Sequence, residues 1–280
     1  MLVLKFGGSS VGSAENIEKV ITIVKEKLKT GKLFVVVSAM GGTTDALLEC
    51  GKLAAAGNEA YKEKLREIEQ RHIATVKELI PVQQQSALLS LVKKMCNEIE
   101  DLCNGIFLLN ELSVRTIDKL LSYGELLSSQ MIAAAFAGKG TEAKWVDSRE
   151  VIKTNSEFGN ATVDHPVTNK NVQSLAGKSE KLFIIPGFVA SDPKNITTTL
   201  GRGGSDYTAA IFAAAIDADS LEIWTDVSGM MTADPRWVAN AKIISSISYQ
   251  EAMELSHFGA KVIYPPTIQP VLNKNIPVWS

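Results

Sequence analysis

Histidine, cysteine and aromatic residues are all scarce in this sequence, which has no membrane-length apolar run and no block of one charge. Its 280 residues include only three histidines and three cysteines, and aromatics make up 6%. Cys50, Cys96 and Cys103 are odd in number, widely spaced and without a Cys-x-x-Cys pair. That excludes a disulfide framework and a structural zinc site, and it points to buried free thiols in a reducing compartment. The start Met1-Leu2-Val3-Leu4-Lys5 lacks a basic segment followed by a long apolar core, so neither a signal peptide nor a membrane span is expected and the cytoplasm is the expected compartment. Twenty-nine basic and 31 acidic residues leave a net charge of −2. With no basic block, neither nucleic acid nor an anionic membrane is expected as the main partner. Walker A and Gly-x-Gly-x-x-Gly patterns are both missing.

What is present suits a soluble globular protein, with 45% hydrophobic and 21% charged residues. Apolar runs rich in β-branched residues recur at Leu2 to Phe6, Leu33 to Val37, Ala143 to Val146, Leu182 to Ile185 and Leu221 to Trp224, and helical stretches separate most of them. This alternation predicts an α/β fold, a largely parallel sheet covered by helices on both faces. Lys5, Ser38, Gly187 and Thr225 follow strand candidates, so one cleft at the carboxyl ends can collect residues from the whole chain. From Gly57 to Gly138 the pattern changes to long helices broken near Pro81 and around Asn110 to Arg115, which predicts a helical insertion packed on the sheet. Thr197 to Leu200 is a short β-prone run, and Val227 to Thr232 resembles a hairpin. Without a linker or repeat, residues 1–280 read as one domain.

The run Lys5-Phe6-Gly7-Gly8-Ser9-Ser10-Val11-Gly12 joins a predicted buried strand to an amphipathic helix starting near Ser13. Small residues let backbone N–H groups approach an anion, the helix dipole favours negative charge, and the lysine adds a full positive charge. Phosphate is the leading candidate. The bland alternative is a tight turn. Gly8-Ser9-Ser10-Val11-Gly12 also fits the Gly-x-Ser-x-Gly nucleophile elbow. An elbow serine normally stands on a sheet built by preceding strands, however, and His72, His165 and His257 occur in no recognisable triad context.

Three further segments carry chemistry. In Gly201-Arg202-Gly203-Gly204-Ser205-Asp206 a glycine-flanked arginine precedes Ser205, an expected N-cap of an alanine-rich helix. A guanidinium can hold a carboxylate in two parallel hydrogen bonds; otherwise Arg202 is a surface residue in a flexible turn. Ser122-Tyr123-Gly124-Glu125 places a carboxylate among small residues early in an apolar helix. A buried Glu125 needs a cationic partner, either a ligand ammonium or a nearby lysine or arginine. The stretch from Trp224 to Arg236 couples a strand to a polar loop in which Thr225 and Asp226 can hydrogen-bond a nucleotide, whereas Asp234-Pro235 is by itself an ordinary turn signal. Lys261, in Gly259-Ala260-Lys261-Val262, is near an expected helix C-terminus.

Taken in order, Lys5 to Val11, Gly201 to Asp206, Trp224 to Val227 with Asp234-Pro235-Arg236, and Phe258 to Val262 closely resemble the aspartokinases, with Ser122 to Glu125 as a fifth match. The likeness spans nearly the whole chain. It implies the amino-acid kinase fold, a three-layer α/β/α sandwich, and transfer of the γ-phosphoryl group of ATP, with Mg2+, to the β-carboxylate of L-aspartate. The resemblance implies that Lys5, Phe6, Gly7 and Gly8 hold the ATP phosphates and that Lys261, beside Val262, neutralises charge on the transferring group. It implies further that Thr225, Asp226 and Arg236 bind the nucleotide, with Met231 at a position where the family commonly has a tyrosine. Arg202 would grip the aspartate α-carboxylate, Glu125 its ammonium, and Thr44 would help position the side chain, with Gly203, Gly204, Ser205 and Asp206 supporting the site.

A carboxylate nucleophile is already ionised at neutral pH, so the scarcity of histidine is no objection. Ser9 and Tyr264 replace a common threonine and histidine. The sequence ends at Ser280, where family members normally enter regulatory ACT domains, some continuing into a homoserine dehydrogenase. The resemblance therefore leads us to expect an isolated catalytic domain, monomeric or weakly associating and insensitive to lysine and threonine. The alternatives are another amino-acid kinase, of the glutamate or acetylglutamate type, or a nucleotide-binding shell of weak turnover.

Overall fold

A computed structural model describes residues 1–226, 229–234, 237–238, 240–257 and 264–280. Three strands, β1 (Leu2–Phe6), β2 (Leu33–Val37) and β4 (Leu182–Pro186), match the expected apolar runs almost residue for residue. Such runs suit a parallel sheet, because both faces of each strand are covered. Among the described residues the sheet also takes in β3 (Lys144–Trp145), β7 (Ser220–Trp224) and the short terminal β8 (Val278–Trp279), in the order β3-β4-β2-β1-β7-β8, every pair parallel. The register sets Lys5 beside Val36 and Ile223.

Alternation along the strands divides the sheet's side chains between two cores. Leu4, Phe6, Val35, Val37, Leu182 and Ile184 point into one. It is covered by α1 (Ala14–Leu28), α2 (Thr43–Ala55), α3 (Tyr61–Leu79), α4 (Gln85–Leu109) and α5 (Val114–Gly138). Val3, Phe34, Val36, Phe183, Ile185, Leu221 and Ile223 point into the other. There they meet α7 (His165–Ala176), α8 (Gly204–Ala215) and the short α10 (Gln269–Leu272), reached after α6 (Ser148–Val151) and α9 (Tyr249–His257). Phe34 stacks on its register partner Phe183 with ring centroids 5.0 Å apart. The result is the expected three-layer α/β/α sandwich with a helical insertion.

Local chemistry sets the helix ends. Ser13 caps α1 by accepting from the Asn16 N–H, and Ile17, Val20, Ile21 and Val24 fall on its buried face at helical spacing. Asn110, at φ 52°, ends α4 in the left-handed region, and Ser113 caps α5 through the Thr116 N–H. α5 therefore starts at Val114, so Glu125 lies in mid-helix and not early in it. The three cysteines are buried free thiols, pushed by burial up to about 12 for Cys50 and Cys96 and about 11 for Cys103.

The β-prone run expected at Thr197 to Leu200 does form a strand. Thr197–Thr199 forms β6, which pairs antiparallel with β5 (Val189–Ser191) off the main sheet. Of the expected hairpin over Val227 to Thr232, residues 227 and 228 lie outside the described residues; Met231 pairs instead with the distant Ile243 in an antiparallel bridge. Among the described residues no helix is long and apolar enough to cross a membrane.

Candidate active site

β1 lies between β2 and β7, where the strand order reverses, and the turns leaving β1 and β2 at their carboxyl ends line a cavity of about 310 Å3 together with α5 and the start of α8. Backbone hydrogen bonds continue the sheet into those loops. The Gly7 N–H donates to Trp224 O at 3.1 Å, the Ser38 N–H to Phe6 O at 3.1 Å, and the Gly187 N–H to Val37 O at 2.9 Å. The turn after β1 then crosses the turn after β2, with the Gly41 N–H donating to Gly8 O at 2.9 Å. A Cβ at Gly8 would stand 3.0 Å from Ala39 O, so glycine is what allows the crossing.

Lys5, at the end of β1, projects into the cavity and meets Asp206, in the first turn of α8, at 2.7 Å between Nζ and Oδ1. The two side chains are 10% and 15% exposed, so the ion pair is largely screened from water. Glu125 reaches the same cavity from α5 and is 4% exposed. α5 comes this close because position 124 has no side chain: a Cβ there would lie 2.8 Å from the Ala39 Cβ. Ser128, one turn further on, donates to Ser38 O at 2.7 Å. Burial raises the Glu125 carboxyl to about 8, against the opposing effects of a backbone hydrogen bond from Ala39 and the positive charge of Lys5. Its Oε2 has no hydrogen-bond partner among the described residues.

Two helices begin at the cavity, and glycine in the left-handed region caps both. Gly42, at φ 82°, precedes α2, and Gly203, at φ 70°, precedes α8; among the described residues neither helix has a side-chain cap. Ser205 is thus not the N-cap expected from the sequence. Its side chain is instead packed on Gly187, where an added Cβ would come within 2.6 Å of Ser205 Oγ. First-turn N–H groups without side-chain caps favour a negatively charged ligand.

The structure brings together Lys5, Gly8, Thr44, Glu125, Gly203, Gly204, Ser205 and Asp206 around this cavity. It adds Ser38 to Gly42, Asp45, Phe188 and Gly201. The Gly41-Gly42 pair before a helix was a legible signal, a second glycine turn at a strand end. Phe188, at φ 67°, gave no sequence signal.

Arg202 stands apart: Gly201 and Gly203 line the cavity but the arginine does not. It is exposed, with its guanidinium carbon 5.3 Å from the centre of the Tyr264 ring. The arginine of the glycine-flanked turn is thus at the surface and has a cation–π partner. Phe6, Thr225 and Asp226 line a second cavity of about 270 Å3, beside α1, together with Ser9, Ser10 and Trp224. The expected nucleotide set is thus divided: Lys5 and Gly8 face one cavity, Phe6, Thr225 and Asp226 the other, while Gly7 is buried at the crossing. Arg236, Lys261 and Val262 lie outside the described residues.

Two of the three candidate bases of the elbow reading are engaged elsewhere, and the side chain of His257 lies outside the described residues. His72 is buried on α3, its Nδ1 2.7 Å from Ile68 O, and burial lowers its pKa; His165 Nε2 lies 3.3 Å from the Tyr207 hydroxyl. Among the described residues no group of three or more His, Cys, Asp or Glu side chains could hold a metal ion.

Residues 1–279 match the profile of the Amino acid kinase family. The chain is 37% identical over 278 residues to the chloroplastic bifunctional aspartokinase/homoserine dehydrogenase 1 of Zea mays, a match covering 99% of this chain and 30% of that protein. It is 36% identical over 281 residues to lysine-sensitive aspartokinase 3 of Escherichia coli K12, covering all of this chain and 61% of that one. Among solved structures, E. coli aspartokinase III in complex with aspartate and ADP superposes with a TM-score of 0.90 at 35% identity, over 99% of this chain and 61% of that chain. The chain thus spans between about a third and three fifths of the length of these relatives.

Proposed function

The chain belongs to the amino acid kinase family, and from that premise we propose that it is an aspartate kinase, transferring the γ-phosphoryl group of ATP to the β-carboxylate of L-aspartate to give 4-phospho-L-aspartate. The observation that carries this reading is Glu125. A buried carboxylate whose Oε2 has no partner among the described residues faces the same cavity as a paired lysine. An acceptor bearing an ammonium gives Glu125 a direct counter-charge, and binding then favours the ionised form over the protonated one.

Phosphoryl transfer asks the protein mainly to align two anions and to offset the negative charge spread over the transferring group. Lys5 serves that charge, and Asp206 holds its ammonium at the end of β1. The N-termini of α2 and α8 add backbone dipoles of the same sign, with Thr44 and Ser205 in their first turns. The acceptor carboxylate needs no base, being ionised at neutral pH. Gly203 and Gly204 keep the α8 turn close to the acceptor, and Arg202, one residue from the lining on either side, takes the α-carboxylate. Phe6, Gly7 and Gly8 shape the turn that receives the phosphates, and Thr225 and Asp226 hold the nucleoside end with Met231, Arg236, Lys261 and Val262. Mg2+ is carried mainly by the nucleotide, and would offset part of the phosphate charge there.

The test is ATP consumption with L-aspartate, L-glutamate and N-acetyl-L-glutamate as acceptors. Turnover with L-aspartate alone is expected. N-Acetyl-L-glutamate has no ammonium for Glu125, so preferred turnover with it would overturn the proposal.

A further inference from the structure

Arg71 is on α3, in the helical insertion, and does not line the cavity. Its two terminal nitrogens nevertheless reach both turns that do. Nη1 donates to Gly41 O at 2.6 Å and Nη2 to Gly12 O at 2.9 Å. Gly12 closes the glycine turn after β1, and Gly41 is in the turn between β2 and α2, the turn that also donates to Gly8 O. We propose that Arg71 is a positioning residue whose guanidinium ties these two glycine turns together and so sets the anion-facing wall of the cavity without touching substrate. This inference rests on the kinase reading for its kinetic consequence, but not for its structural one.

The geometry favours that role over a merely local one. A guanidinium offers divergent donors in one rigid plane, so it can bridge two carbonyls at a fixed separation; a lysine ammonium is a compact point donor on a flexible stem. A planar trans peptide directs the next residue's N–H opposite to its carbonyl. Orienting Gly41 O toward Arg71 therefore directs the Gly42 N–H the other way, and Gly42 both lines the cavity and caps α2. Arg71 itself is exposed, whereas α3 packs through Ile68, His72, Thr75 and Val76. Shortening its side chain should thus release the turns while leaving the helix seated.

Arg71→Ala and Arg71→Lys in the full chain test this by amide hydrogen exchange and by kinetics. Removing charge-assisted bonds of this kind should speed exchange of the Val11, Gly12 and Gly41 amides about tenfold or more in Arg71→Ala, with the amides of α3 unchanged. Arg71→Lys should recover only part of that protection. In turnover assays kcat/KM for ATP should fall roughly tenfold while KM for aspartate changes less, and millimolar guanidinium should restore activity to Arg71→Ala. Unchanged exchange in both turns overturns the proposal, as does faster exchange spread along α3 or full recovery by lysine. If the unaltered chain shows no aspartate-dependent turnover, the kinase reading fails, and the exchange result alone decides the clamp.

Discussion

Lys5 and Asp206 meet at 2.7 Å between the end of β1 and the first turn of α8, so one ion pair fastens the start of the sheet to a helix from the far end of the chain. Removing one partner leaves the other charge largely buried, which typically costs about 3–5 kcal/mol; replacing both with apolar residues costs far less. Lys5→Met should therefore lower the urea midpoint markedly, and adding Asp206→Leu should recover much of it. Turnover should stay down by about a hundredfold or more in both, because the charge acting on the transferring group is gone. Recovery of activity along with stability would take Lys5 out of the reaction.

The raised carboxyl of Glu125 fixes the sign of a pH effect. With a folded value of about 8 against the ordinary 4.5, the folded protein holds a proton that the unfolded chain has released. Stability should accordingly fall as pH rises through that window, by on the order of 2 kcal/mol between about pH 6 and pH 8. Glu125→Gln cannot ionise and should show a flatter profile in denaturant titrations. Aspartate should reverse the trend, since an ammonium favours the ionised carboxyl, and KM for aspartate should drop toward pH 8. Parallel profiles for the two proteins would contradict the burial argument.

Arg202 gives a separation of ligands. Its contact with the Tyr264 ring is at the surface, where such pairs contribute only about 0.5–1 kcal/mol. Arg202→Ala should barely change the melting temperature. If the guanidinium takes the α-carboxylate, KM for aspartate should rise by roughly ten- to a hundredfold with KM for ATP nearly unchanged, as expected for loss of a charged hydrogen-bonded pair. Tyr264→Leu should leave both constants close to normal.

Continuous apolar runs made β1, β2, β4 and β7 legible, because a strand buried on both faces has no polar alternation to confuse it. β5 and β8 were not, being two or three residues long and defined by their partners. Glycine turns with a neighbouring charge disclosed Lys5 and Asp206. Burial of Glu125 could only be posed as a question, since it depends on the bare position 124 meeting Ala39. Ser205 looked like a cap because its residue type is right; the left-handed Gly203 took that place. Arg71 carried no local signal at all, since both its acceptors are backbone carbonyls distant in sequence.

Gly124→Ala sets two effects of opposite sign against each other. Alanine is worth about 1 kcal/mol over glycine in a helix interior. The added Cβ, however, would stand 2.8 Å from the Ala39 Cβ, in a contact formed by α5 and the short loop after β2, and overpacking of this kind typically costs about 1–3 kcal/mol. Neither atom is at the end of a flexible side chain, so relief requires the backbone to move. The clash should win, giving a net loss of stability in urea titration. The separation it forces lies between Glu125 and the Ser38-to-Met40 loop, so KM for aspartate should rise more than KM for ATP. A more stable variant with unchanged KM for aspartate would mean that α5 and the loop yield easily, and that the approach at Gly124 does not set the position of Glu125.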